Sequence, residues 1–111
     1  MAALEREADI VEQLLCKCAN LYSTPAKFRT LMAFDQERGQ YLLIDEGWDG
    51  YRRIHRVWMH VELRDGKIWI HEDGTEEGIA NLLVAAGITQ DRIILAFHAP
   101  ALRCASEFAV A

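Results

Sequence analysis

Apolar residues near the start of the chain, Leu4, Ala8, Val11, Leu15, Cys18 and Tyr22, recur at alternating spacings of four and three. That spacing lines one face of a helix with 3.6 residues per turn and predicts a first helix. Ser23-Thr24-Pro25 should end it, because proline lacks the amide that would continue the helix and disfavours helical backbone in the residue before it. From Lys27 to Glu72 the period drops to two and turn signals arrive at short intervals, the pattern of an antiparallel meander. Strands are expected over residues 28–34, 40–48, 51–64 and 67–72, with the polar loop Asp35-Gln36-Glu37-Arg38-Gly39 between the first two. Asp49-Gly50 and Asp65-Gly66 read as two-residue type I′ turns. Both central positions of such a turn need positive φ, which Asp tolerates and Gly adopts freely.

Two-residue turns fix register. They set Leu63 opposite Ile68, Val61 opposite Ile70, His60 opposite His71, Leu42 opposite Val57 and Tyr41 opposite Trp58. Two faces follow. One carries Leu42, Ile44, Val57, Met59, Val61, Leu63, Ile68 and Ile70, an aliphatic surface suited to a core. The other carries Tyr41, Leu43, Arg56, Trp58, His60, Trp69 and His71, aromatic and polar together.

Beyond His71 the period returns to helical. Ile79, Leu82, Leu83 and Ala86 share a face, Glu76 and Glu77 suit the positive end of a helix dipole, and Gly87 suits the position just past its end. A second helix is expected over residues 75–86. The apolar run 93–97 follows as a short strand; strand, helix and strand in succession favour a right-handed crossover and a parallel pairing. The expected architecture is one α+β domain over residues 1–111, with an N-terminal helix, an antiparallel four-strand meander, a crossover helix and a short fifth strand.

A chain of 111 residues with 51% hydrophobic and 26% charged residues can bury a core without disulfides or metal. Its longest apolar stretch, residues 79–88, is interrupted by Asn81 and Gly87 and falls short of the roughly 18 residues of a membrane span. Met1-Ala2-Ala3-Leu4-Glu5-Arg6-Glu7 has no basic start leading into an apolar block, so no secretory signal is expected. Three cysteines, Cys16, Cys18 and Cys104, make an odd count, which suits reduced thiols in a cytoplasm. Cys16 and Cys18 fall about 200° apart on a helix, poorly placed to clamp one metal ion.

The chemistry-bearing residues form few constellations. His60 and His71, opposed on one sheet face, are candidate metal ligands, but two ligands are too few and histidines packed beside tryptophans are the plainer reading. Glu72, Asp73, Glu76 and Glu77 could hold a hard cation or simply compensate a helix dipole. Gly74 and Gly78 lack the lysine and spacing of a phosphate loop. Arg52, Arg53 and Arg56 with Tyr51 and Trp58 form a basic, aromatic patch that could touch a nucleic-acid backbone. A formal net charge of −5 opposes direct nucleic-acid binding by the chain alone. No residue sits in a nucleophile motif, and no cofactor is expected. Tyr41, Leu43, Trp58 and Trp69 are either ordinary core under a helix or, with arginine nearby, the composition of an interface. The candidate protein interface is Tyr41, Arg56, Trp58, His60, Trp69 and His71.

Several segments resemble the XisI family: Asp35-Gln36-Glu37-Arg38 with Gln40-Tyr41-Leu42-Leu43, then Gly47-Trp48-Asp49, then Asp65-Gly66-Lys67-Ile68-Trp69-Ile70, then Asp73-Gly74-Thr75-Glu76-Glu77-Gly78-Ile79-Ala80, and finally Phe108-Ala109-Val110. The likeness spans nearly the whole chain and is most specific from Gly66 to Ala80. XisI-like proteins are small cyanobacterial proteins named as controlling factors for excision of the fdxN DNA element. The resemblance implies a non-enzymatic accessory of site-specific recombination, acting beside a recombinase and a companion, XisH, whose relatives look like nuclease-fold proteins. It implies an XisH-like protein partner, is compatible with a homo-oligomer, and supplies no catalytic residue. After Phe97-His98 the family often has two prolines, an aromatic and basic residues, whereas this chain reads Ala99-Pro100-Ala101-Leu102-Arg103-Cys104. Direct DNA binding through Arg52, Arg53 and Arg56, and metal-dependent catalysis through His60, His71 and the acidic junction, are the alternatives.

Overall fold

A computed structural model of the chain describes residues 3–22, 28–75, 77–101 and 108–109. The side chains of Leu4 and Tyr22, the expected terminator Ser23-Thr24-Pro25, and Glu76, Cys104 and Val110 lie outside the described residues. The elements run α1 (Ala3–Tyr22), β1 (Phe28–Asp35), β2 (Gln40–Asp49), β3 (Arg52–Arg64), β4 (Lys67–Asp73), α2 (Ile79–Ala85), a 3-10 turn (Gln90–Arg92) and β5 (Ile93–Leu95). They form one five-stranded sheet in the order β1-β2-β3-β4-β5, with β1 to β4 antiparallel and β5 parallel to β4. This is the expected α+β arrangement. No helix is long and apolar enough to cross a membrane among the described residues.

Helix α1 buries Val11, Leu15, Cys18 and Ala19, and α2 buries Ile79, Ala80 and Leu83. Both sets join Tyr41, Leu43, Met59, Val61, Ile68, Ile70 and Ile93 in one cluster, so both helices lie on the same face of the sheet. Each large apolar side chain withdrawn there contributes about 1.5–3 kcal/mol. Cys16 is half-buried and Cys18 buried, as their helical phase predicts. Glu7 and Arg92, 2.8 Å apart, tie α1 to the turn before β5, and the side chain of Glu7 is held by that pairing despite its burial.

The composition of the core differs from the sequence expectation in strand β2. Tyr41 and Leu43 are fully buried, whereas Leu42 and Ile44 are only half-buried and Val57 is exposed. The cause is a β-bulge. Ile44 pairs with Val57, but the next pair is Leu43 with Met59, which leaves Trp58 as an extra residue in β3. One extra residue exchanges the faces of everything beyond it, so Met59, Val61, Ile68 and Ile70 take Tyr41 and Leu43 as core companions. The ring of Tyr41 packs on Phe34 at 5.6 Å.

The hairpin turns also differ from each other. Asp65 and Gly66 have φ of 53° and 72° between the paired Arg64 and Lys67, matching the expected I′ pattern. At the other turn Asp49 pairs with Arg52, so the loop is Gly50-Tyr51 rather than Asp49-Gly50. Gly50 has φ 65° and Tyr51 is not left-handed, the II′ pattern with glycine first. The expected pairs Leu42 with Val57 and Tyr41 with Trp58 are accordingly replaced.

Helix α2 begins at Ile79 rather than residue 75. The carboxylate of Asp73 accepts the amide of Ile79 at 2.8 Å through Oδ2, and the amide and hydroxyl of Thr75 at 3.0 and 2.6 Å through Oδ1. The Thr75 hydroxyl in turn accepts the amide of Gly78 at 3.0 Å. These hydrogen bonds hold Thr75 and Gly78 outside the helix that the charge at positions 76 and 77 predicts from residue 75. Strand β5 ends at Leu95 rather than residue 97, and the chain returns at Ala109, which bridges parallel to Ile94.

The bulge is braced by a close approach. A Cβ on Gly74 would lie 2.8 Å from both Cε3 and the carbonyl oxygen of Trp58. Gly74→Ala should therefore force Trp58 to move and destabilise the protein by about 1–3 kcal/mol. The denaturant midpoint, with unchanged slope, measures this; a wild-type midpoint would contradict it.

Candidate functional site

On the sheet face opposite the helices, the strand register brings Gln40, Glu62 and Trp69 into one row across β2, β3 and β4. A second bulge sits beside them. His60 pairs with Glu72 and Val61 with Ile70, so His71 is the extra residue in β4 rather than the direct partner of His60. The two imidazoles nevertheless meet, with ring centroids 4.7 Å apart.

The polar groups form a continuous network. Gln40 Nε2 donates to Glu62 Oε2 at 2.9 Å, which leaves the Gln40 carbonyl oxygen to accept from His60 Nε2 at 2.7 Å. His71 Nε2 donates to Glu62 Oε1 at 2.9 Å, and Arg64 Nη1 stands 3.5 Å from the same oxygen. The Arg64 guanidinium also lies 3.9 Å from the centroid of the Trp69 ring, while Trp69 Nε1 donates to the Arg64 carbonyl at 3.1 Å. Burial alone would raise the Glu62 carboxyl, but the hydrogen bonds from His71 and Gln40, with Arg64, outweigh it and hold the pKa low. His60 is pushed down by burial and by neighbouring His71, against the opposing pull of Glu62 and Glu72. With both Nε2 atoms committed, each imidazole keeps Nδ1 as its other hydrogen-bonding nitrogen. The result is a hydrogen-bonded polar patch flanked by half-buried Leu42 and Ile44.

Three of the six residues expected at an interface lie in this patch: His60, Trp69 and His71. The other three do not. Tyr41 is fully buried under the helices. Trp58, the bulge residue, packs against the core cluster. Arg56 pairs with Asp45 and stands 3.7 Å from its carboxylate, on the helix side of the sheet. Gln40, Glu62 and Arg64 join His60, Trp69 and His71 in the patch: Glu62 and Arg64 share the phase of His60 along β3, and Gln40 stands opposite Glu62 in β2.

Among the described residues no group of three or more His, Cys, Asp or Glu could hold a metal ion. The carboxylate of Asp73 in the acidic junction is taken up by backbone amides and the Thr75 hydroxyl. Arg52 and Arg53 sit at the far end of the β2–β3 hairpin, paired with Asp49 at 3.6 Å and Glu46 at 3.1 Å.

The chain matches the XisI protein family over residues 1–110. It belongs to the XisI family. A solved structure of an XisI-like protein from Anabaena variabilis superposes with a TM-score of 0.91 at 30% identity, covering 97% of this chain and 99% of that one. A second, described as the fdxN element excision controlling factor XisI from the same organism, gives 0.86 at 36% identity, covering 97% and 98%. A comparison with curated proteins finds no match.

Because the folded pKa of His60 is lowered from its ordinary 6.5, the unfolded chain binds a proton more readily. His60 therefore supports the fold above about pH 6.5, and that support is lost as pH falls through the folded value. Wild-type protein should lose more stability between pH 7.5 and 5.5 than His60→Gln, read from urea midpoints at each pH; parallel losses would contradict the assignment.

Proposed function

We propose that this XisI-family protein is a non-enzymatic accessory factor that controls excision of a DNA element, and that it acts by binding a protein partner through the open face of its sheet. The role is supported by the 36%-identical relative described as an excision controlling factor. The observation that carries the binding mode is the ordered network of Gln40, His60, Glu62, Arg64, Trp69 and His71 on a face that neither helix covers. A network this extensive fixes its side chains before any partner arrives, and preorganised aromatic and arginine groups are those that anchor interfaces. An XisH-like protein is the proposed partner. The same face in a second copy of the chain is the competing occupant.

Co-expression of the chain with an XisH-like protein, followed by co-purification, tests this. Trp69→Ala should weaken association by about 30-fold, equivalent to about 2 kcal/mol, while moving the denaturant midpoint little. Tyr41→Ala should do the reverse, costing about 3–5 kcal/mol of folding stability as a truncated buried aromatic. Association that survives Trp69→Ala undiminished, in a folded variant, would sink the open-face reading.

A further inference from the structure

The β2–β3 hairpin runs past the end of β4, while β1 stays paired with β2 as far as Gly47. Strand β4 pairs with β3 only as far as Asp73 opposite Met59, and at Gly74 the chain passes across Trp58. Residues 52–57 of β3 therefore pair with β2 on one side and with no strand on the other, among the described residues. Arg52, Arg53, His55, Arg56 and Val57 are exposed along this edge. Trp48 and Tyr51 stand at its tip, 56% and 104% exposed, with the Arg53 guanidinium 5.3 Å from the Trp48 ring. Tryptophan, tyrosine and arginine are the residues most enriched where interfaces carry their binding energy.

We propose that the outer edge of β3 over residues 52–57 is a strand-addition site for an extended, acidic segment of a protein partner. The free edge supplies backbone donors and acceptors in register. Its charge selects the occupant: residues 52–57 hold three arginines and no acid. Each arginine touches one β2 carboxylate, Arg52 with Asp49, Arg53 with Glu46 and Arg56 with Asp45. The Arg52–Asp49 pair is exposed and weak, and Arg52 and Arg56 remain 75% and 66% exposed, so a partner's carboxylates can share them. A second copy is disfavoured, because full antiparallel overlap of residues 52–57 sets Arg53 opposite Arg56. A nucleic-acid backbone is disfavoured because it carries no peptide groups to pair with the strand edge.

The proposal rests on the protein-binding reading above, and the test separates the two. Isotope-labelled protein is titrated with a seven-residue peptide of alternating glutamate and valine and with its lysine counterpart. The acidic peptide should slow amide exchange at residues 52–57 and bind at least about tenfold more tightly than the lysine peptide. Arg53→Gln with Arg56→Gln should reduce that preference in a protein that still unfolds cooperatively, and Arg53→Glu with Arg56→Glu, which sets like charges beside Glu46 and the buried Asp45 and so lowers the thermal midpoint, should abolish it. Equal binding of the two peptides, protection confined to the His60 and Trp69 face, or steeply salt-dependent binding of a DNA duplex through the same arginines would overturn it. In the XisH-like co-purification, loss with Trp69→Ala but not with the double charge reversal sinks the edge alone. Loss with the reversal but not Trp69→Ala sinks the open face alone.

Discussion

The structure depends on one extra residue. Trp58, inserted into β3 opposite the Leu43-Ile44 step of β2, decides which half of β2 enters the core. Without it, Leu42 and Ile44 would lie beneath the helices and Tyr41 and Leu43 would face outward. With it, Tyr41 and Leu43 are fully buried. Gly74 makes the arrangement sterically possible, since its missing side chain is what lets the end of β4 cross the bulge. That crossing also ends the β3–β4 ladder and leaves the outer edge of β3 over residues 52–57 without a strand partner among the described residues.

The same constraint divides the two sheet faces by chemistry. On the helix side the alternation of β3 and β4 delivers Met59, Val61, Ile68 and Ile70 into a dry core, where burial of each large side chain contributes more than an exposed ion pair does. On the other side it delivers Gln40, His60, Glu62, Arg64, Trp69 and His71, which satisfy one another across three strands. A half-buried carboxylate between two hydrogen-bond donors and an arginine is stable only if those partners stay in place. The patch is therefore held by its own hydrogen bonds.

Much of this was legible in the chain. The spacing of Val11, Leu15 and Cys18 gave α1, Asp65-Gly66 gave its turn and the Leu63–Ile68 and Val61–Ile70 register, and the apolar run after Arg92 gave the parallel fifth strand. Strand β2 was illegible for a physical reason: Tyr41-Leu42-Leu43-Ile44 is apolar on both phases, so alternation cannot say which phase is buried. Charge at residues 76 and 77 suggested an early helix start, but the Asp73 side chain, bonding Thr75 and Ile79, sets a later one. At the candidate site the histidines and Trp69 were visible as chemistry, whereas the placement of Tyr41, Arg56 and Trp58 required knowing where the bulge falls. Membership of the XisI family agrees with what the quoted segments suggested.

The most direct measurement is of the bulge itself, by cross-strand backbone nuclear Overhauser effects in labelled protein. Contacts between Leu43 and Met59 together with contacts between Ile44 and Val57 are the expected result, because only a bulge at Trp58 allows both. An unbroken register that pairs Leu42 with Met59 alongside Ile44 with Val57 would contradict the account, for it would return Tyr41 to the open face and Leu42 to the core.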